Sequence, residues 1–137
     1  MANVFRFPYT IGLHDTDAAG LIFSANIFRI CQIADEALLK EIGFSVATLF
    51  SGRRTLGLPI VHLEADFQKP LRIGDEVEIR VRVAHLGRTS CRLEYEFVNA
   101  VGERCATAAN VHVCVDPQTY QTIEMPPAFR AAIEKFA

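Results

Sequence analysis

From Val61 to Val115 the apolar residues fall at almost every second position, and this alternation restricts the chain more than any other feature. Val61, Leu63, Ala65 and Phe67 are interleaved with His62, Glu64, Asp66 and Gln68. Val77, Ile79, Val81 and Val83 are interleaved with Glu78, Arg80 and Arg82. Cys91, Leu93, Tyr95 and Phe97 follow the same rule, and Ala109, Val111, Val113 and Val115 continue it. Successive side chains of a strand point to opposite faces, so a period of two marks strands with one buried face. Leu86-Gly87-Arg88 and Asn99-Ala100-Val101-Gly102 are short enough to be tight turns, which makes their flanking strands antiparallel neighbours. The pattern predicts a meander of at least four strands, closed by the Asp116-Pro117 turn.

One long stretch has a different period. Ile27, Ile30, Cys31, Ala34, Leu38 and Ile42 recur at three- and four-residue spacing, as one face of a helix requires. Ser24 or Asn26 is the expected cap and Gly43 the expected stop. Ahead of it, Val4 to Leu13 predicts a first strand that Pro8 confines to an edge. Met125-Pro126-Pro127 opens a short C-terminal helix that runs to Phe136. Strands that each bury one face need a layer over that face, and the long helix supplies it. The predicted class is α+β, one domain over residues 1–137. The Val-rich edges of such an open sheet invite a second copy, so a homodimer or a dimer of dimers (a homotetramer) is expected.

Composition narrows the partners. In 137 residues there are 14 Lys and Arg against 16 Asp and Glu, a net charge of −2, which lacks the basic face of a nucleic-acid binder. Half of the residues are hydrophobic, enough for a core, yet no apolar run reaches the ~20 residues of a membrane span. The start, Met1 to Thr10, has no secretory-signal pattern, so a cytoplasmic location is expected. Cys31, Cys91, Cys105 and Cys114 form no Cys-x-x-Cys pair and sit in apolar stretches, which predicts buried reduced thiols. No His, Cys and carboxylate set has metal-ligand spacing, so no metal is expected.

Chemistry concentrates in Asp15-Thr16-Asp17-Ala18-Ala19-Gly20, placed just before the helix. Alone, Asp-x-Asp is commonly a turn or a cap. Beside a helix start, a carboxylate acting as base or nucleophile can be combined with backbone N–H groups that hold an oxyanion. Gly20 would let the backbone approach a substrate without a Cβ in the way. Acyl transfer needs that combination.

At these residues the sequence resembles a family. The Asp15–Gly20 motif, Asn26 and the single long helix look like the hotdog-fold acyl-CoA thioesterases of the 4-hydroxybenzoyl-CoA thioesterase type. The likeness continues in Leu58-Pro59-Ile60-Val61, in Phe67-Gln68-Lys69-Pro70-Leu71-Arg72-Ile73-Gly74-Asp75 and in Cys114-Val115-Asp116-Pro117. With Ala25-Asn26 and Ile30-Cys31, the motif is most similar to the 1,4-dihydroxy-2-naphthoyl-CoA thioesterases of phylloquinone and menaquinone synthesis. The resemblance implies about five antiparallel strands wrapped around one long helix, and hydrolysis of an aromatic acyl-CoA to free acid and CoA. CoA thioester is then the substrate, and no cofactor is implied. Asp17 is implied as nucleophile or general base, with the oxyanion held by backbone N–H of Phe23 and Ser24. Gly20, Ile60, Val61 and His62 are implied beside the substrate and the pantetheine arm, and Arg88, Thr89 and Ser90 beside the phosphates.

Other readings compete. Asp15 could orient the loop, His14 could contact it, and His85 and His112 read as ordinary sheet residues. Glu36, beside Asp35, precedes Lys40 by four residues, which suits a solvent-facing ion pair better than catalysis. The hotdog fold also hosts dehydratases, but the His-and-Pro-rich segment expected of those before the helix is missing. An aliphatic or other aromatic acyl-CoA thioesterase and a non-catalytic acyl-CoA-binding module remain as alternatives.

Overall fold

Residue size sets the register of the sheet. Leu93, Tyr95 and Phe97 are too large to bury on both faces, so one parity of their strand turns inward and its neighbours follow. The computed structural model describes residues 3–52 and 54–137; Met1 and Ala2 of the N-terminal stretch and Arg53 of the connection after the long helix lie outside the described residues. The chain runs β1 (Phe5–Thr10), α1 (Asn26–Glu41), α2 (Val46–Leu49), β2 (Ile60–Phe67), β3 (Glu76–Leu86), β4 (Ser90–Asn99), β5 (Arg104–Val113) and α3 (Pro127–Ile133). The strands form one antiparallel sheet in the order β1-β3-β4-β5-β2.

The expected meander is correct for β3, β4 and β5 and wrong for β2, which crosses the sheet to pair with β5. The connection to β3 explains why. Gln68 and Lys69 donate to the Cys105 carbonyl at 2.9 and 3.0 Å, Leu71 accepts from Ile22 N–H at 2.8 Å, and Gly74 donates to Ile11 at 2.7 Å. Bonded along its length to other segments, this stretch passes across the end of the sheet instead of turning back as a hairpin. Pro8 does sit on an edge strand, β1, opposite Glu78.

A second correction concerns β5. Alternation pointed to Ala109, Val111 and Val113 as the inward set, but Ala106, Ala108 and Asn110 lie opposite Phe97, Tyr95 and Leu93 and face the helix. With small residues at both parities, β5 has no preference of its own and takes the one that β4 imposes.

The long helix forms as expected, with Ile27, Ile30, Ala34 and Leu38 buried against Ile79, Val81 and Phe97 in a single core. Its start differs. Ala25 is the cap residue and no side chain caps the helix, because Asn26 turns to the preceding loop instead. At the other end Gly43 adopts φ +87, a left-handed conformation that favours glycine, and donates to Lys40 at 3.2 Å. The C-terminal segment closes the core through Phe129, Ile133 and Phe136, with Phe129 edge-on to Phe44. All four cysteines are free and buried, as expected, and burial pushes the Cys91 thiol up to about 12.

The outer face of the sheet is laced with ion pairs, among them Arg6 with Glu78, Arg92 with Glu64 and Glu94, and Arg82 with Glu94. Strand β2 is unlike the others. None of its residues is fully buried, and Val61, Leu63 and Phe67 are exposed on the free edge.

Phe97 is fully buried at the middle of the core. Phe97→Ala is expected to cost about 3–5 kcal/mol in urea unfolding, whereas Val101→Ala, in the exposed β4–β5 turn, should change stability by less than about 0.5 kcal/mol.

Candidate active site

The loop between β1 and α1 is organised by a carboxylate withdrawn from solvent. After β1 a single 3-10 turn, Leu13–Asp15, carries Asp15 inward until its side chain has no exposure. There Oδ2 accepts from Tyr9 Oη at 2.8 Å and from Gly12 N–H at 2.9 Å, and Oδ1 accepts from an Arg29 guanidinium nitrogen at 2.5 Å. The His14 ring lies 3.6 Å away. Burial alone would raise the Asp15 pKa. The bonds from Gly12 and Tyr9, with His14 and Arg29, outweigh it and hold the carboxyl below the usual range. The Asp15 main chain is used as well: its carbonyl accepts from Phe23 N–H at 2.9 Å and Asn26 Nδ2 at 3.0 Å. Asp15 therefore joins β1, the loop and the first turn of α1.

Two residues on, Asp17 stands at the tip of a tight turn. Its N–H donates to Leu21 at 2.8 Å, and its carbonyl accepts from Gly20 N–H at 3.0 Å. Gly20 has φ +76, which any side chain would strain, while nothing lies within 4 Å of where its Cβ would be. Its requirement is thus conformational, and the space above it is open. The Asp17 side chain is exposed; Oδ1 accepts from Ala19 N–H at 2.9 Å, and Oδ2 has no partner among the described residues.

Of the two expected oxyanion donors, Phe23 N–H is already committed to Asp15. Ser24 N–H has no acceptor among the described residues and remains available. Glu36 is exposed on α1, and no ion pair joins it to Lys40 among the described residues.

The remaining expected residues lie elsewhere. The Gly87–Ser90 turn is held by Gly87 N–H to Ser90 at 2.8 Å, Cys114 N–H to Thr89 at 2.7 Å, and Arg130 to the Gly87 carbonyl at 2.5 Å. Arg88 is exposed and has no ion-pair partner among the described residues. Ile60 and His62 pair with His112 and Val111 of β5, and Val61, at a bulge between them, is 62% exposed. Because Ser90 lies opposite Val113 and Val113 N–H donates to Pro59, the Arg88 turn and the start of β2 share one end of the sheet. His62 contacts Glu64, its ring 3.5 Å from that carboxylate. Asp17 belongs to the opposite end, where Thr10 of β1 pairs with Glu76. Strand β3, 11 residues long, separates these ends by ten residue steps, about 33 Å at ~3.3 Å per step. One chain does not bring Asp17 and Arg88 together.

A polar cluster inside the core escaped sequence reasoning. Asp35 accepts from Tyr95 Oη at 2.5 Å and Asn110 Nδ2 at 3.3 Å, and the His112 ring lies 3.7 Å from its Oδ2. Burial pushes the Tyr95 phenol well above its usual pKa. Burial would disfavour the charged His112 ring, but Asp35 and the Leu58 carbonyl outweigh it and raise its pKa. One signal was present: Asp35 follows Ile27 and Cys31 at four-residue spacing and so continues the buried face.

Comparison with known proteins agrees with this architecture. A model of the thioesterase-like superfamily matches residues 11–133. The chain belongs to that superfamily. It is 37% identical over 122 residues to the 1,4-dihydroxy-2-naphthoyl-CoA hydrolase of Synechococcus elongatus, covering 89% of each chain. It is 32% identical over 117 residues to the Trichodesmium erythraeum protein of the same name, covering 84% of each. Among solved structures, a 1,4-dihydroxy-2-naphthoyl-CoA thioesterase from Synechocystis superposes with a TM-score of 0.86 at 26% identity, over 96% of both chains. The fold is the hotdog fold of these thioesterases, as the resemblance implied. No helix among the described residues is long and apolar enough to cross a membrane.

The buried Asp15 makes stability depend on pH. Its folded pKa is lowered, so its contribution is complete above the unfolded value of about 4 and is lost as pH falls through the lower folded value. Asp15→Asn should cost on the order of 3 kcal/mol in urea unfolding at pH 7, and the gap to the wild type should shrink steadily below about pH 4.

Proposed function

We propose that this protein is an acyl-CoA thioesterase that hydrolyses an aromatic acyl-CoA of the 1,4-dihydroxy-2-naphthoyl type, as its relatives' names describe, in phylloquinone or menaquinone synthesis. The observation that carries the reading is Asp17: an exposed carboxylate with one free oxygen, on a turn anchored by the fully buried Asp15 beside the start of α1. In the proposed reaction Asp17 either attacks the thioester carbon or takes a proton from the attacking water. As the tetrahedral intermediate forms, its oxygen becomes anionic and accepts from Ser24 N–H. Collapse breaks the C–S bond and releases CoA thiolate, which takes up a proton; with water as the nucleophile the other product is the free acid, and with Asp17 as the nucleophile it is an acyl-Asp17 anhydride that a water then hydrolyses to the free acid and the Asp17 carboxylate. No resident cofactor is needed.

The site is proposed to be completed by a second copy. Strand β2 offers an unpaired edge with exposed Val61, Leu63 and Phe67, the surface that a two-fold related β2 would cover. Antiparallel pairing of two β2 edges reverses the second sheet, so the Asp17 end of one chain meets the Ile60 and Arg88 end of the other. The ~33 Å that separates these groups within one chain then ceases to be an obstacle. The pantetheine arm would run beside Ile60, Val61 and His62, and the phosphates would meet Arg88, Thr89 and Ser90. Four buried free thiols suit a reducing cytoplasm.

Asp17→Asn should lower kcat for 1,4-dihydroxy-2-naphthoyl-CoA by ~10²–10⁴-fold with the dimer intact by light scattering, and Glu36→Gln should leave kcat within about twofold. Full activity of Asp17→Asn would refute the assignment, and binding without thiol release by the wild type would favour a non-catalytic module. Arg88→Ala should raise KM by about five- to tenfold with kcat nearly unchanged, because the phosphates take no part in bond breaking.

A further inference from the structure

Beyond Val113 the chain of β5 continues into a hairpin. Val115 pairs with Gly57 on one side and with Thr122 on the other, and Ile123 N–H donates to the Cys114 carbonyl at 2.9 Å. The turn of this hairpin, Asp116 to Gln121, is held at several points. Asp116 N–H donates to the Gln121 carbonyl at 2.9 Å, and Tyr120 N–H donates to the Asp116 carbonyl at 2.8 Å. Asp116 Oδ1 accepts from the N–H groups of Gln118 and Thr119 at 2.8 and 3.3 Å.

Tyr120 is unexpected in this turn on two counts. Its φ is +59, the one positive value at a non-glycine among the described residues, and a Cβ strains that left-handed conformation. Its side chain is also exposed, at 78%, so burial does not offset the strain. A backbone outlier that packing leaves unexplained points to a ligand. What the turn offers is an aromatic face open to solvent, which takes a planar partner by stacking. Position selects the partner. The hairpin stands on the Arg88 turn, because Met125 N–H donates to the Arg88 carbonyl at 2.9 Å and Cys114 N–H to the Thr89 carbonyl at 2.7 Å. Tyr120 lies five residues from Met125, at most ~18 Å along the chain. Arg88 is exposed and has no ion-pair partner among the described residues. Two long side chains can reach toward each other across that separation and leave room for a sugar between them. In CoA one ribose separates the pyrophosphate from the adenine.

We propose that Tyr120 is a stacking platform for the adenine of CoA when the phosphates lie at Arg88. This rests on the thioesterase reading for the identity of the ligand. The hairpin, the Arg88 turn and the start of β2 then take adenine, phosphates and pantetheine in the order in which CoA presents them, since Gly57 joins the hairpin to the segment that leads into β2. Tyr120 binds the end of the substrate remote from the thioester and takes no part in C–S cleavage.

Calorimetric titration with CoA and with 4′-phosphopantetheine, which stops at a single phosphate and has no adenine, reads the platform without turnover. Asparagine enters the left-handed conformation readily, so Tyr120→Asn removes the ring and keeps the turn. Tyr120→Asn should bind CoA at least ~5-fold more weakly than the wild type and 4′-phosphopantetheine within about twofold of it. Tyr120→Trp, which keeps an aromatic face, should hold CoA within about twofold of the wild type. In urea, Tyr120→Asn should unfold at a midpoint no lower than the wild type, as relief of strain requires. Unaltered CoA affinity in Tyr120→Asn would overturn the proposal. Equal weakening of both ligands or a lowered midpoint would also overturn it, because each marks a structural role. CoA binding that depends on Tyr120, in a protein that cleaves no acyl-CoA, would sink the thioesterase reading and leave the platform standing. Acyl-CoA cleavage with a KM indifferent to Tyr120→Asn would do the reverse.

Discussion

Taking the Asp15 carboxylate wholly out of water is costly unless donors replace the lost hydration, and here Tyr9, Gly12 and Arg29 do so. Each donor comes from a different part of the chain: the end of β1, the turn after it, and the first turn of α1. Satisfying one buried charge therefore locks three segments in register. The exposed Asp17 inherits its position from that node two residues away, and Asn26 reinforces it through the Asp15 carbonyl. The two carboxylates one residue apart therefore differ in their surroundings: one has both oxygens occupied by the fold, and the other keeps an oxygen without a partner among the described residues.

The sheet imposes the second constraint. With β1 and β2 on its two edges and eleven residues along β3, the groups implied for hydrolysis and for CoA recognition lie at opposite ends. Under the proposed function, the exposed apolar β2 edge and the separation of these groups would have the same physical remedy, a two-fold partner running antiparallel. The charged outer face of the sheet, where Arg and Glu neutralise one another in ion pairs, leaves that edge as the more apolar surface.

Much of this was legible in the residues. Period-two alternation located β2, β3 and β4, Pro8 marked an edge strand, Gly43 ended the helix, and the Asp15–Gly20 motif with the family resemblance pointed to Asp17. The failures have physical causes. In β5, small residues at both parities left the buried face undefined until β4 imposed it, and so His112 was read as an ordinary sheet residue. Asn26 looked like a cap, yet its amide had a better use in holding the loop. Phe23 N–H was spent on the Asp15 carbonyl, a bond that no local pattern reveals.

Local chemistry was enough to specify the elements. Alternation, helical spacing and glycine conformations depend on neighbours a few residues away, and the order of residues records them. The crossing of β2 to β5, the pairing of Asp35 with Tyr95, Asn110 and His112, and the distance between Asp17 and Arg88 depend instead on segments far apart in the chain. Those relations arise only once large side chains have chosen the inside of the sheet and buried polar groups have found partners. Packing and hydrogen-bond satisfaction act through space, so they determine the site's geometry where sequence spacing cannot.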